Sequence, residues 1–216
     1  MTTPTRGTAS RALAADPERV HPGVPRDKLR RPYQLGGMPL GRAMVTVDEA
    51  VVAAPMARIF ELAWRVEEWP THLPHYRFVR FRARTRDGGG LVEMSANRPF
   101  GAFAWPTWWL SEMEVRHDVP SVRFRHVDGV TKEMEVEWQF EPAKDSTDAA
   151  PRTAVRIVHL WDGPRWPLIG VPAALAVIGP VFVHGIASRT LAGLQRAAEA
   201  GTWGTASGGE GSVPGT

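Results

Sequence analysis

The 216-residue chain is 43% hydrophobic, enough for one substantial core and short for two full domains. It has no cysteine, which excludes disulfides, thiolate nucleophiles, iron–sulfur clusters and cysteine-based zinc sites. The net charge of +3 is uneven: residues 1–44 hold eight Lys/Arg against three acids, so the basic character belongs to an amino-terminal arm.

That arm, residues 1–43, is rich in Pro, Gly, Thr and Arg without a sustained apolar period, and 201–216 is low in complexity. Both ends are expected to be loosely ordered. With little aromatic interleaving beyond Tyr33, the arm reads as a solvated tail and not as a nucleic-acid contact. No secretory leader pattern is recognisable, so a cytoplasmic location is expected.

From residue 44 the chain reads as alternating elements. "MVTVDEAVVAA" is a strand, ended by Pro55, which suits the first turn of a helix over "MARIFELAWRV". "VEEWPTHLPHY" follows, with Trp69 and Tyr76 seven residues apart around two prolines. "FVRFRAR" and "LVEMSAN" read as a hairpin about "RDGGG". The Pro/Phe-rich "RPFGAFAWP" separates these from further strands. "TWWLSEMEV" sets Trp109, Ser111, Met113 and Val115 on one face, and "SVRFRHV" sets Val122, Phe124 and His126 against Arg123 and Arg125. "KEMEVEWQFE" sets Met134, Val136, Trp138 and Phe140 against Glu133, Glu135, Glu137 and Glu141, and "RTAVRIVHLW" completes the series. Such a sheet has one buried and one wet face, on which the arginines and glutamates pair across strands and set register.

Residues 168–187 are almost wholly apolar, with His184 the only ionisable group. The length suits a membrane span of about 20 residues, but Pro172, Pro180 and three glycines favour an apolar lid, and membrane contact is the lesser alternative. Val181–Ala200 then reads as a helix with Val183, Ala187, Leu191, Leu194 and Ala198 on one side. The fold class is therefore α+β: a curved antiparallel sheet of about seven strands wrapped around a long C-terminal helix, with one or two short helices after the first strand. The space left between sheet and helix is a candidate ligand cavity.

The pattern "V…A.P..RIFEL…VE.WP..LP.Y" from Val51 to Tyr76, within this order of elements, resembles the START-like helix-grip superfamily of polyketide aromatase/cyclases and coenzyme Q-binding lipid carriers. The likeness covers about 45–200, making 44–200 a START-like ligand-binding domain. It implies that Trp69 and Tyr76 line the cavity. It also implies an inward serine followed two residues later by an inward arginine. In "WWLSEM" the serine is Ser111, but the arginine position holds Met113, which neither donates a hydrogen bond nor carries charge.

The expected site therefore takes Tyr76, Ser111 and His159 as catalytic candidates. Tyr76 would donate or relay a proton, Ser111 would orient a carbonyl, and His159 would titrate near neutral pH. Trp69, Trp109, Met113, His126, Trp138 and Phe182 would contact the substrate. Each polar candidate also has a purely structural reading, as a buried group bonded to a neighbour. His72 and His75 have H-x-x-H spacing, but Pro74 interrupts any helix there, so no metal site and no cofactor is expected. Two functions follow from the resemblance: a cyclase/aromatase acting on a poly-β-ketone, with an acyl carrier protein as a conceivable partner, or a carrier for a quinone, polyketide or lipid. A third reading, an interaction module acting through the basic arm, rests on charge alone.

Overall fold

A computed structural model describes residues 33–100, 103–164, 168, 170–173, 175–176, 178 and 183–201. Seven strands form one antiparallel sheet in the order β1-β7-β6-β5-β4-β3-β2. They are β1 (Met44–Val52), β2 (Tyr76–Arg84), β3 (Gly90–Phe100), β4 (Phe103–Arg116), β5 (Ser121–Gly129), β6 (Glu135–Pro142) and β7 (Thr153–Trp161). Between β1 and β2 lie α1 (Met56–Trp64), a 3-10 turn (Val66–Glu68) and the short α2 (Trp69–His72). After β7 come α3 (Gly170–Ala173) and α4 (His184–Ala200).

All strands after α2 are joined by local connections, so the sheet grows one neighbour at a time from β2 to β7. The return of β1 to the far edge beside β7 places both edges near the helices. The β2–β3 turn is tight at Gly90, whose φ of 147° and whose approach to Ala83 leave no room for a side chain. The Pro/Phe-rich stretch is not a plain connection: β3 and β4 run on into it, pairing from Gly90–Met113 to Phe100–Phe103.

One apolar core fills the concave side, and α4 packs on it against β1, α1 and β3. The helical spacing explains how: Val183, Ala187, Leu191, Leu194 and Ala198 are all buried. In α1 the buried side is Ile59, Phe60, Leu62 and Ala63, with Met56 and Trp64 packed beside it. Among the described residues no helix is long and apolar enough to cross a membrane. Within 168–187, Leu168 is 98% exposed and Ile178 is buried, while Phe182 lies outside the described residues.

The outer face corrects one expectation. It is not a wet lattice of ion pairs, because residues 33–37, counted with the arm above, cross it. The Leu35 amide donates to Glu114 Oε2 at 2.8 Å, and Arg116 Nη2 and Arg125 Nη2 donate to the carbonyls of Gly36 and Leu35 at 3.0 and 3.1 Å. Arg123 also donates to the Gly36 carbonyl. Beneath this strap Arg123 is 0% exposed, and it donates through Nη2 to Glu135 Oε2 at 2.9 Å, while Arg125 holds Glu135 Oε1 at 2.6 Å. Tyr33 packs with Ala83 and Leu91 beside it. The alternation of the strands is as expected, but on this face Arg123, Glu135, Glu114 and Glu93 are buried.

Candidate functional site

The opening of the site is built by "VEEWPTHLPHY". Pro70 sits in the first turn of α2, where its missing amide hydrogen costs nothing, and the chain turns at Leu73 into β2. This turn brings two residues of one segment together: the rings of Trp69 and Tyr76 lie 5.1 Å apart, tilted at 58°. Trp69 is fixed from behind by its indole N–H, which donates to the Leu62 carbonyl at 3.0 Å.

From that pair a run of rings continues along the sheet. Tyr76 lies 6.4 Å from Trp109, which stacks on His126 at 5.9 Å and 18°, and Trp69 lies 5.8 Å from Trp138. These side chains and His159 enclose a cavity between sheet and helix. The room within it for water-sized molecules is about 70 Å³, and about 570 Å³ when all space between the atoms out to the open mouth is counted. Helix α4 and the residue before it close the other side with Val183, Ile186, Ala187 and Thr190.

Six expected site residues thus meet on one cavity: Trp69, Tyr76, Trp109, His126, Trp138 and His159. Ser111 and Met113 share their inward phase but do not reach it. Both are fully buried in β4, opposite His126 and Phe124, and Ser111 Oγ has no hydrogen-bond partner among the described residues.

Thr190 does not stand out in the sequence. Its Oγ1 lies 2.8 Å from the Ile186 carbonyl, 3.0 Å from His75 Nε2 and 3.3 Å from the Tyr76 hydroxyl. A threonine among Ala, Leu and Gly on a helix gives no sign of this role; the only hint is that it is polar on the buried side. His126 Nδ1 is 2.7 Å from Thr131 Oγ1, another unforeseen wall residue, supplied by the turn after β5.

The cavity's electrostatics favour neutral guests. Burial pushes the Tyr76 phenol well above its ordinary ionisation range, so it stays protonated. Burial, and secondarily the proximity of His184, lowers His159 to about 3, leaving it uncharged at neutral pH, with no partner for Nδ1 among the described residues. His75, at the edge, is lowered to about 4 by burial and then by Arg189. His184, whose charge His159 feels, meets Asp48 Oδ1 through Nδ1 at 2.6 Å. Among the described residues no three His, Asp or Glu side chains converge as a metal site.

A sheet gripping one helix over an apolar, ring-lined cavity defines the helix-grip class of ligand-binding folds. The chain belongs to the family described as "Polyketide cyclase / dehydrase and lipid transport", whose model matches residues 52–179. Among solved structures it is similar to TTHA0849 from Thermus thermophilus, at 19% identity and a TM-score of 0.57, covering 74% of this chain and 99% of that one. It is also similar to the Zhui aromatase/cyclase from Streptomyces sp. R1128, at 15% identity and a TM-score of 0.56, covering 74% and 98%. A START superfamily protein from Mycobacterium smegmatis shares 16% identity at a TM-score of 0.50, covering 72% and 94%. These identities speak for the fold. The comparison with curated proteins finds no match.

Proposed function

We propose that the cavity receives a flexible, mostly apolar poly-β-ketone and promotes its aldol-type ring closure and dehydration. The observation that carries this reading is the Tyr76 phenol, buried and neutral, inside a wall of aromatic rings at the mouth built by α2. Such a wall folds the chain of the guest and excludes water, and placing reacting carbons near one another supplies most of the acceleration. In the reaction a carbon between two carbonyls loses a proton, the enolate carbon bonds to a distant carbonyl carbon, and that oxygen is protonated and later leaves as water. Tyr76 meets a polar oxygen of the guest. His159, held to about 3 by burial, stays neutral and offers the guest a hydrogen-bonding contact and not a base, so the proton passes from carbon to oxygen by way of water at the open mouth, and Ser111, which does not line the cavity, takes no part in this step. An acyl carrier protein is the natural means of delivering such a reactive chain.

A second reading, a carrier for a quinone, polyketide or lipid, is favoured by Met113. Where the resemblance implies an arginine to hold a developing oxyanion, this chain has a thioether, and the described cavity wall contains no Lys or Arg. Native mass spectrometry of the purified protein, with extraction of any bound small molecule, identifies the cargo class. Incubation with a poly-β-ketone then separates the readings. A cyclase shifts the product distribution, and Tyr76→Phe returns it towards the spontaneous one. A carrier binds and leaves the distribution unchanged.

A further inference from the structure

The hydrogen bonds around Thr190 constrain what the cavity accepts. A threonine hydroxyl carries one hydrogen and two lone pairs. Its Oγ1 has three polar neighbours, the Ile186 carbonyl at 2.8 Å, His75 Nε2 at 3.0 Å and the Tyr76 hydroxyl at 3.3 Å. The carbonyl one turn back can only accept, and a helical threonine commonly bonds it. If the hydrogen is drawn instead to His75, the other short contact, the outcome for Tyr76 is the same. In either arrangement Thr190 has no hydrogen left for the phenol. Among the described residues Thr190 is the only hydrogen-bond partner of the Tyr76 hydroxyl; the single Thr190 hydrogen cannot serve both this 3.3 Å contact and the 2.8 Å contact to Ile186, and with the shorter one taking it, the phenol is left to donate across the longer.

We infer that Thr190 is a positioning residue that turns Tyr76 into a hydrogen-bond acceptor towards the cavity, and that the site therefore selects guests presenting an O–H, a phenol or enol, over their ethers and simple ketones. This departs from the expectation that Tyr76 donates. The inference deepens the small-molecule reading above and rests on it. For a poly-β-ketone the selected group is an enol of a 1,3-dicarbonyl unit. After dehydrative ring closure the same position suits the phenol of the product. Burial reinforces the choice, because an ionised guest oxygen would enter an apolar wall with no described cation to meet it.

The test compares 2-naphthol with 2-methoxynaphthalene, read by quenching of the cavity tryptophans. The naphthol is expected to bind about five- to tenfold more tightly, the value of one hydrogen bond. In Thr190→Val the phenol hydrogen is released towards the cavity and the preference falls to within about twofold; Thr190→Ser restores it. Equal binding of the two ligands to the wild type, or preference for the ether, overturns the inference. If neither binds, the small-molecule reading falls and the selectivity with it. A second measurement needs no ligand. The chain has two tyrosines, so the Cζ signal of Tyr76 in tyrosine-labelled protein is readily assigned with Tyr33→Phe. It is expected to move upfield in Thr190→Val and to return in Thr190→Ser. An unmoved signal overturns the hydrogen assignment whatever the binding result.

Discussion

Gly193 of α4 lies directly against Leu73, the residue that ends α2: a Cβ on Gly193 would sit 2.2 Å from Leu73 Cδ2. This contact is where the covering helix meets the turn that carries Trp69 and Tyr76, so it sets how closely the cavity is shut. Leu73 is 1% exposed and has nowhere simple to go. Gly193→Ala gains helix propensity of up to about 1 kcal/mol, but overpacking costs about 1–3 kcal/mol. The expected net result is a lowered unfolding midpoint in urea and weaker binding of cavity ligands. Leu73→Ala combined with Gly193→Ala should restore part of the stability, and a strictly additive double variant would show that the two residues do not press on each other.

Trp69 serves both packing and position. Trp69→Ala removes a buried ring and is expected to cost about 3–5 kcal/mol in urea unfolding. Trp69→Phe keeps most of the apolar surface but leaves the Leu62 carbonyl without its indole donor, and about 1–3 kcal/mol should be lost. A phenylalanine variant as stable as wild type would show that the indole bond does not hold the ring.

The strap over the outer face predicts a contrast between two ion pairs. Glu135→Ala leaves Arg123, which is 0% exposed, with only the Gly36 carbonyl and a longer 3.8 Å pair to Glu137, and should cost up to about 3–5 kcal/mol in urea unfolding. Asp145→Ala removes an exposed pair with Arg152 and should leave the unfolding midpoint essentially where it was. Equal effects of the two substitutions would mean that residues 33–37 do not keep Arg123 dry in solution.

Acid should weaken the fold partly through His159. Its imidazole is held at about 3 in the folded chain, below the ordinary value of 6.5, by burial and then by His184. Between those values the unfolded chain takes up a proton that the folded chain refuses. Stability is therefore lost as the pH falls from about 6.5 towards 3, at up to about 1.4 kcal/mol per pH unit. Unfolding of His159→Gln between pH 6 and pH 4 should show a shallower slope by about that amount. Parallel slopes would place His159 in contact with solvent.

Much of the architecture follows from period alone. Trp109, Trp138, His126 and His159 fall on the inward phase of their strands, and the i+3/i+4 apolar steps from Val183 to Ala198 name the buried side of α4, because a side chain's direction in a regular element is a local property. That Trp69 and Tyr76 line the cavity was implied by the family resemblance and not by period, and that their rings meet is set by the turn at Leu73. Other facts depend on residues far apart in the chain. Phase placed Ser111 and Met113 inward, yet whether an inward residue reaches the cavity depends on which neighbours overtop it. Glu135 and Arg123 look solvated in their strands and are buried because a segment about 90 residues earlier crosses them. Thr190 looks like an ordinary helical residue until His75 and Tyr76, more than 110 residues away in sequence, arrive beside it. Periodicity determines which way a side chain points; only the closing of the helix onto the sheet decides what it meets, and hydrogen-bond direction is a property of that meeting.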